Sequence, residues 1–193
     1  MKNTSPRSST LVSWAVLLLT AAAVVALDQI TKALVTMRLA VGETWAPIPA
    51  LADYIAITRS INTGAALGIL PWAGDLFLVV ALAMIVGIVF FYARIPQGHW
   101  LERIGLGLLL GGAAGNALDR IRLGYVIDFV HLQLKPVISN VSNFADHAIV
   151  VAILILFFVQ WRSGRTPKVY RSPSASEALS NQHVEDTSPI VQK

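Results

Sequence analysis

Four aspartates, Asp28, Asp119, Asp128 and Asp146, stand at the ends of apolar runs or in the short connection between two of them. Carboxylates at hydrocarbon depth are costly and usually functional. The plain alternative is that acids cap helix ends at the water interface, and Asp75, at the head of its own run, reads that way. The residues around the other four suggest more. Asn116 and Asp119 are three apart, so on a helix they share a face. Asn143 and Asp146 repeat that spacing, and Arg120 beside Asp119 is a candidate buried cationic partner. Two carboxylates held close cannot both ionise easily, so one pKa rises and the pair shares a proton. The ionised member can then deprotonate a water while the neutral member donates to a carbonyl oxygen. That is peptide hydrolysis without a metal or a covalent intermediate. Spacing alone leaves the choice of pair open, since Asp119 with Asp146 is also admissible.

Other chemistries fit less well. Ser60, Ser139 and Ser142 have no evident His–Asp setting, although His131 and His147 lie in the same region. Those two histidines are sixteen apart with no HExxH motif, which argues against zinc. The chain has no cysteine, so disulfides, thiolate metal sites and a cysteine nucleophile are excluded. No cofactor and no metal is implied.

The elements that must position these groups are membrane spans. Of 193 residues, 55% are hydrophobic and 13% charged, against about 25% charged in a typical soluble domain. Mean hydropathy is +0.63. Four apolar runs stand out: Leu11 to Leu27, Leu76 to Ala93, Ile104 to Leu118 and His147 to Trp161. Extended by flanking residues to cross a bilayer, they give expected spans of about 11–31, 73–93, 101–121 and 142–161. The first run also fits a secretory signal peptide behind Lys2 and Arg7. Against that, Asp28, Gln29 and Lys32 follow in the pattern of a continuing helix, without a clear small-x-small cleavage site.

Nine of the 15 basic residues fall in the N-terminus, the connection between the second and third runs, and the C-terminal tail. This bias puts both termini in the cytoplasm and all four aspartates near the outer face. The net charge of +4 is scattered and gives no case for nucleic acid. Gly107, Gly111 and Gly115, at four-residue steps, form a stripe on which another helix can pack closely. Between the first two runs, "YIAITRSI" alternates as a strand does, which suggests a short sheet on the outer surface. Trp45, Tyr54 and Trp72 suit an interfacial position. Asn62 and Gly64 read as a tight backbone feature near the site. The expected fold is therefore an all-α membrane protein, with four transmembrane helices and a small extracytoplasmic β-rich region between the first and second spans. Residues 1–165 form the membrane domain, and 166–193, rich in Ser, Pro and polar residues, read as a disordered cytoplasmic tail.

Five motifs in order, "DQITK" at 28–32, "NTGAALG" at 62–68, "GGAAGNALDR" at 111–120, "GYVIDF" at 124–129 and "NFAD" at 143–146, resemble the lipoprotein signal peptidase (signal peptidase II) family. The resemblance covers Leu11 to Trp161. It implies an aspartic peptidase of the bacterial inner membrane that cleaves prolipoproteins on the amino side of a diacylglyceryl-bearing cysteine, in contact with membrane lipid. It assigns catalysis to Asp128 and Asp146, with support from Asp28, Lys32, Asn62, Gly64, Asn116, Asp119, Arg120 and Asn143. It also implies inhibition by globomycin. Two positions depart from the family pattern: Ser142 stands where Phe usually precedes the Asn, and Leu67 stands where "GAAF" has its Phe. Asp119, beside Arg120, is expected to be ion-paired and so a poor proton donor, whereas Asp128 has no adjacent cation.

Two other classes compete. A small ion-coupled carrier would spread acids through the bilayer depth, yet the first two runs hold none. An assembly subunit would use the acids only to pair with Lys32, Arg59, Arg120 and Arg122. A presenilin-type protease would carry Gly-x-Gly-Asp, which is absent.

Overall fold

The computed structural model describes residues 6–64, 73–95, 99–134, 138–162 and 164. The chain groups into one compact unit, Met1–Val159, and a second, Gln160–Lys193, of which only the last residues of a helix and Gly164 are described. The expected tail, 166–193, lies outside the described residues, as do Trp72 and Leu67. The elements are α1 (Pro6–Arg38), β1 (Thr44–Trp45), β2 (Ile55–Asn62), α2 (Ala73–Tyr92), α3 (Trp100–Leu123), β3 (Val126–Leu134), β4 (Ile138–Ser142) and α4 (Phe144–Arg162).

Among the described residues, three helices are long and apolar enough to cross a membrane: Thr10–Arg38, Gly74–Tyr92 and Phe144–Arg162. The expected fourth, α3, is long enough, about 36 Å at 1.5 Å per residue. Its glycines and its end, carrying Asn116, Asp119 and Arg120, make it less apolar than the others. The reason lies in packing. The faces of α3 are buried against neighbouring helices, and 11 of its residues are buried. A Cβ on Gly107 would lie 2.7 Å from Thr20 Cβ. One on Gly111 would lie 2.7 Å from the Ala21 carbonyl oxygen, and one on Gly115 would lie 2.9 Å from Asp28 Oδ2. The stripe read from the sequence is thus the seat of α1. Gly112 faces α4, where a Cβ would stand 2.5 Å from the Ala145 carbonyl oxygen.

At the other end of α3, Leu17, Ala21, Ile88, Tyr92 and Leu110 form an apolar cluster joining α1, α2 and α3. The Tyr92 hydroxyl donates to the Ser13 carbonyl. The Arg103 guanidinium lies 5.0 Å from the Tyr92 ring centre and donates to the Ile95 carbonyl. Asp75 sits exposed in the first turn of α2, where the positive end of the helix dipole favours an acid.

The sheet is larger than expected. Its four antiparallel strands run in the order β1-β2-β3-β4. Only β1 and β2 come from the connection after α1; β3 and β4 come from the connection between α3 and α4. The region holding Asp128, read from the sequence as a loop, is therefore a strand. Val126 to Val130 are buried consecutively, so both faces are covered and the run lacks the alternation of a half-exposed strand. Gly124, at φ 80° beyond the end of α3, turns the chain, and its N–H donates to the Arg120 carbonyl. That turn delivers Asp128 within nine residues of Asp119.

Candidate active site

The site begins with the start of α4. The Asn143 side-chain oxygen accepts the Asp146 N–H at 2.9 Å, which is the bond of an N-cap to the third residue of its helix. The spacing Asn143–Asp146 thus builds the helix terminus and fixes the backbone of the acid. The other atom of the same amide, Nδ2, donates to Asp128 Oδ1 at 2.6 Å and to Asn116 Oδ1 at 3.1 Å. One fully buried asparagine therefore links β3, α3 and α4.

Asp128 is 2% exposed. Its second oxygen accepts from Asn62 Nδ2 at 2.9 Å. Asn62 ends β2, and its Oδ1 accepts the Gly64 N–H at 2.9 Å. Gly64 has φ 85°, a left-handed conformation that glycine adopts at little cost. This is the tight feature expected at those two residues. Burial pushes the Asp128 carboxyl up, to about 6, with the nearby charge of Asp146 adding to it. The amide donors of Asn62 and Asn143, and the Lys32 charge, pull the other way.

Asp146 is half-buried and accepts from Asn116 Nδ2 at 2.7 Å. Asn116 in turn accepts from Lys32 Nζ at 3.3 Å. Asp146 also lines a cleft of about 580 Å³. Phe77, Val80 and Met84 of α2 form its apolar wall, while Asn62, Asn140 and Arg120 supply polar groups. The cleft has the mixed lining that lets an apolar chain end against a reactive polar centre.

Behind the two acids lies a separate ionic cluster. Lys32 is 2% exposed, with Nζ 2.7 Å from Asp28 Oδ2 and 2.8 Å from Asp119 Oδ2. Its three N–H groups are spent on two carboxylates and Asn116. Asp28 accepts the Ala145 N–H at 3.1 Å, and Asp119 accepts the Ile127 N–H at 3.1 Å. The cluster pins the first turn of α4 and the start of β3 to α1 and α3. Asp119 is ion-paired as expected, but its partner is Lys32 rather than Arg120. Arg120 instead stacks 5.5 Å from the centre of the Phe77 ring, within electrostatic reach of Asp146, Asp128 and Asp119. Its Nε is buried without a hydrogen-bond partner among the described residues.

All ten residues singled out from the sequence belong to this cluster or line its cleft. Two more escaped that reading. Gln29 Nε2 bridges Asp28 Oδ2 and Asp119 Oδ1, at 3.2 and 2.8 Å. Asn140 reaches the cleft from β4. Gln29 stands beside Asp28 and three before Lys32 on one helix, which was the available signal. Asn140 carried none, since its strand was not recognised. Ser142, the departure from the family pattern, is buried and lies 3.2 Å from His147 Nε2.

Known proteins resemble this chain in sequence and fold. Residues 20–162 match the family described as signal peptidase (SPase) II. The lipoprotein signal peptidase of Geobacillus thermodenitrificans is 41% identical over 139 residues, covering 72% of this chain and 85% of that protein. That of Desulfitobacterium hafniense is 38% identical over 134 residues, covering 69% and 85%. A bacterial membrane enzyme solved by the in meso method at 2.3 Å resolution superposes with a TM-score of 0.69 at 26% identity, covering 81% of this chain and 93% of that one. With buried acids, their asparagine donors and this breadth of match, the chain belongs to the signal peptidase II family.

Proposed function

We propose that Asp128 and Asp146 are the catalytic pair with which this lipoprotein signal peptidase removes the signal peptide from prolipoproteins. The observation that carries the assignment is the contrast among the buried acids. Asp28 and Asp119 share an ammonium, whereas Asp128 has only neutral amides as direct donors and is held up to about 6. Asp128 retains the proton of the pair. Asp146, at the cleft wall, takes a proton from a water as it attacks the scissile carbonyl carbon. Asp128 donates to the carbonyl oxygen, giving a neutral tetrahedral intermediate. Its collapse breaks the C–N bond as the proton on Asp146 passes to the leaving amine and one hydroxyl of the intermediate returns its proton to Asp128, which restores the pair. Arg120, aimed at the cleft, holds a backbone carbonyl of the substrate. Asn116 and Asn143 fix the two carboxylates against each other.

The leaving amine belongs to a cysteine bearing diacylglyceryl, so the cut falls on its amino side. The lipid remains in the leaflet, which requires the pair to lie at the mouth of a span. In the proposed layout α3 is a fourth span, both termini are cytoplasmic, residues 1–165 form the peptidase domain, and the site faces outward from the bacterial inner membrane. Globomycin blocks the cleft by occupying the space before the two carboxylates. The test is cleavage by protein in nanodiscs of a prolipoprotein peptide carrying diacylglyceryl-cysteine, beside the same peptide without lipid. Lipid-dependent release of the signal peptide, suppressed by globomycin, is expected. Equal cleavage of both peptides contradicts the reading.

A further inference from the structure

A second cavity, of about 520 Å³, lies away from the catalytic cleft and shares no lining residue with it. Leu34, Val35 and Leu39 at the end of α1 form one wall, and Ile57 and Trp45 of the sheet form the other. Phe129 and Phe144 close it, their rings edge to face at 5.5 Å. These two aromatics follow Asp128 and Asn143 directly in the chain, so a thin aromatic partition separates the groove from the acid site.

Two features identify the occupant. The first is continuity with the bilayer. Leu27, Ile30, Leu34 and Met37 are 40–74% exposed along α1, within a helix apolar enough to span. Leu34 belongs both to that lipid-facing side and to the groove wall, so an acyl chain lying against α1 can enter the groove without crossing water. The second is charge. Arg38 lines the groove at the end of the span, is exposed, and has no acidic partner among the described residues. Glu43, the acid of the same groove, is engaged by the Ala40 N–H at 2.7 Å. An apolar slot with an unpaired guanidinium at its interfacial end matches an acyl chain joined to a phosphate.

We infer that this groove binds an anionic phospholipid of the leaflet at the end of α1, with one acyl chain against Phe129 and Phe144 and its phosphate on Arg38. The lipid is a resident of the bilayer, separate from the substrate in the catalytic cleft. By packing behind the aromatic partition it steadies the strand and the helix start that carry Asp128 and Asp146. This inference needs the membrane placement of α1 and stands apart from the choice of catalytic pair.

The test uses the full chain with Trp14, Trp72, Trp100 and Trp161 changed to Phe, which leaves Trp45 as the reporter. The protein is placed in nanodiscs of phosphatidylcholine containing a small fraction of acyl-dibrominated phosphatidylglycerol or acyl-dibrominated phosphatidylcholine. Bromine in the groove quenches Trp45. The expected result is quenching by the anionic lipid at about fivefold lower mole fraction than by the zwitterionic one. Arg38→Gln is expected to abolish that difference, and Ile57→Phe, which narrows the groove, to reduce quenching by both lipids. Equal quenching by the two lipids in the parent protein overturns the inference. So does stoichiometric relief of quenching by the lipid-bearing substrate peptide, which would make the groove part of the substrate site.

Discussion

At the residue scale the four buried aspartate and lysine positions divide into two kinds, and the division is measurable. Lys32 satisfies Asp28 and Asp119 where water cannot. Removing one partner of a buried ionic cluster costs about 3–5 kcal/mol, so Lys32→Met is expected to lower the thermal midpoint sharply. Asp128 behaves oppositely. Its folded pKa is raised from 3.8 to about 6, so the folded state binds the proton more tightly than the unfolded chain. The associated stability is fully present at low pH and is lost as pH rises from about 4 to 6, amounting to about 3 kcal/mol at most. Asp128→Asn removes that penalty, so at pH 7 its thermal midpoint is expected not to fall even though cleavage stops. The same proton shapes the rate. Cleavage is expected to decline as pH rises through the region where the pair loses its shared proton. Asn62 donates to the ionised form, so Asn62→Ala moves that alkaline limb to higher pH while lowering the rate. A pH–rate profile of the variant with the limb moved to lower pH contradicts the assignment.

At the element scale, the glycine stripe of α3 decides how closely α1 brings Asp28 and Lys32 to the site. Gly111→Ala puts a methyl 2.7 Å from the Ala21 carbonyl oxygen, and overpacking of this kind costs about 1–3 kcal/mol. Gly87 of α2 has nothing within 4 Å, so Gly87→Ala should be neutral or stabilising by about 1 kcal/mol through helix propensity. Thermal melts of the two variants side by side check the pair, and equal effects contradict the packing account. The stripe, the i,i+3 asparagine–aspartate pairs and strand β2 were legible in the sequence because each is a local pattern with its own period. β3 and β4 were not. Val126 to Val130 are covered on both faces, which erases alternation, and Asn140 became a cleft residue only once its strand was placed. Partnerships across the fold were equally hidden. Adjacency suggested Arg120 for Asp119, yet successive residues on a helix point about 100° apart, and the cation that reaches Asp119 comes from α1. The choice of Asp128 over Asp119 came from family resemblance, and the separation of an ion-paired acid from an amide-bound one is its physical counterpart.

At the scale of the whole molecule, the α3 end, the sheet and the α4 start meet beside the end of α1, so the reactive groups collect at one end of the helices. The chain has no cysteine, which makes its proposed orientation simple to probe. Thr44→Cys, in β1, is expected to react with a membrane-impermeant maleimide in intact spheroplasts. His99→Cys, before α3, is expected to react only after permeabilisation. The reverse pattern would invert the proposed topology. The central claim is the identity of the catalytic pair, and its most direct test is single-turnover cleavage of the diacylglyceryl-bearing peptide in nanodiscs. Wild type, Asp128→Asn, Asp146→Asn and Asp119→Asn would be compared, each first shown to be folded by its melt. The account predicts that Asp128→Asn and Asp146→Asn lose at least about a thousandfold in rate while keeping wild-type stability. Folded Asp119→Asn, although less stable, is predicted to retain measurable cleavage. Cleavage surviving in Asp128→Asn but abolished in folded Asp119→Asn would contradict it and transfer the proton-donating role to Asp119.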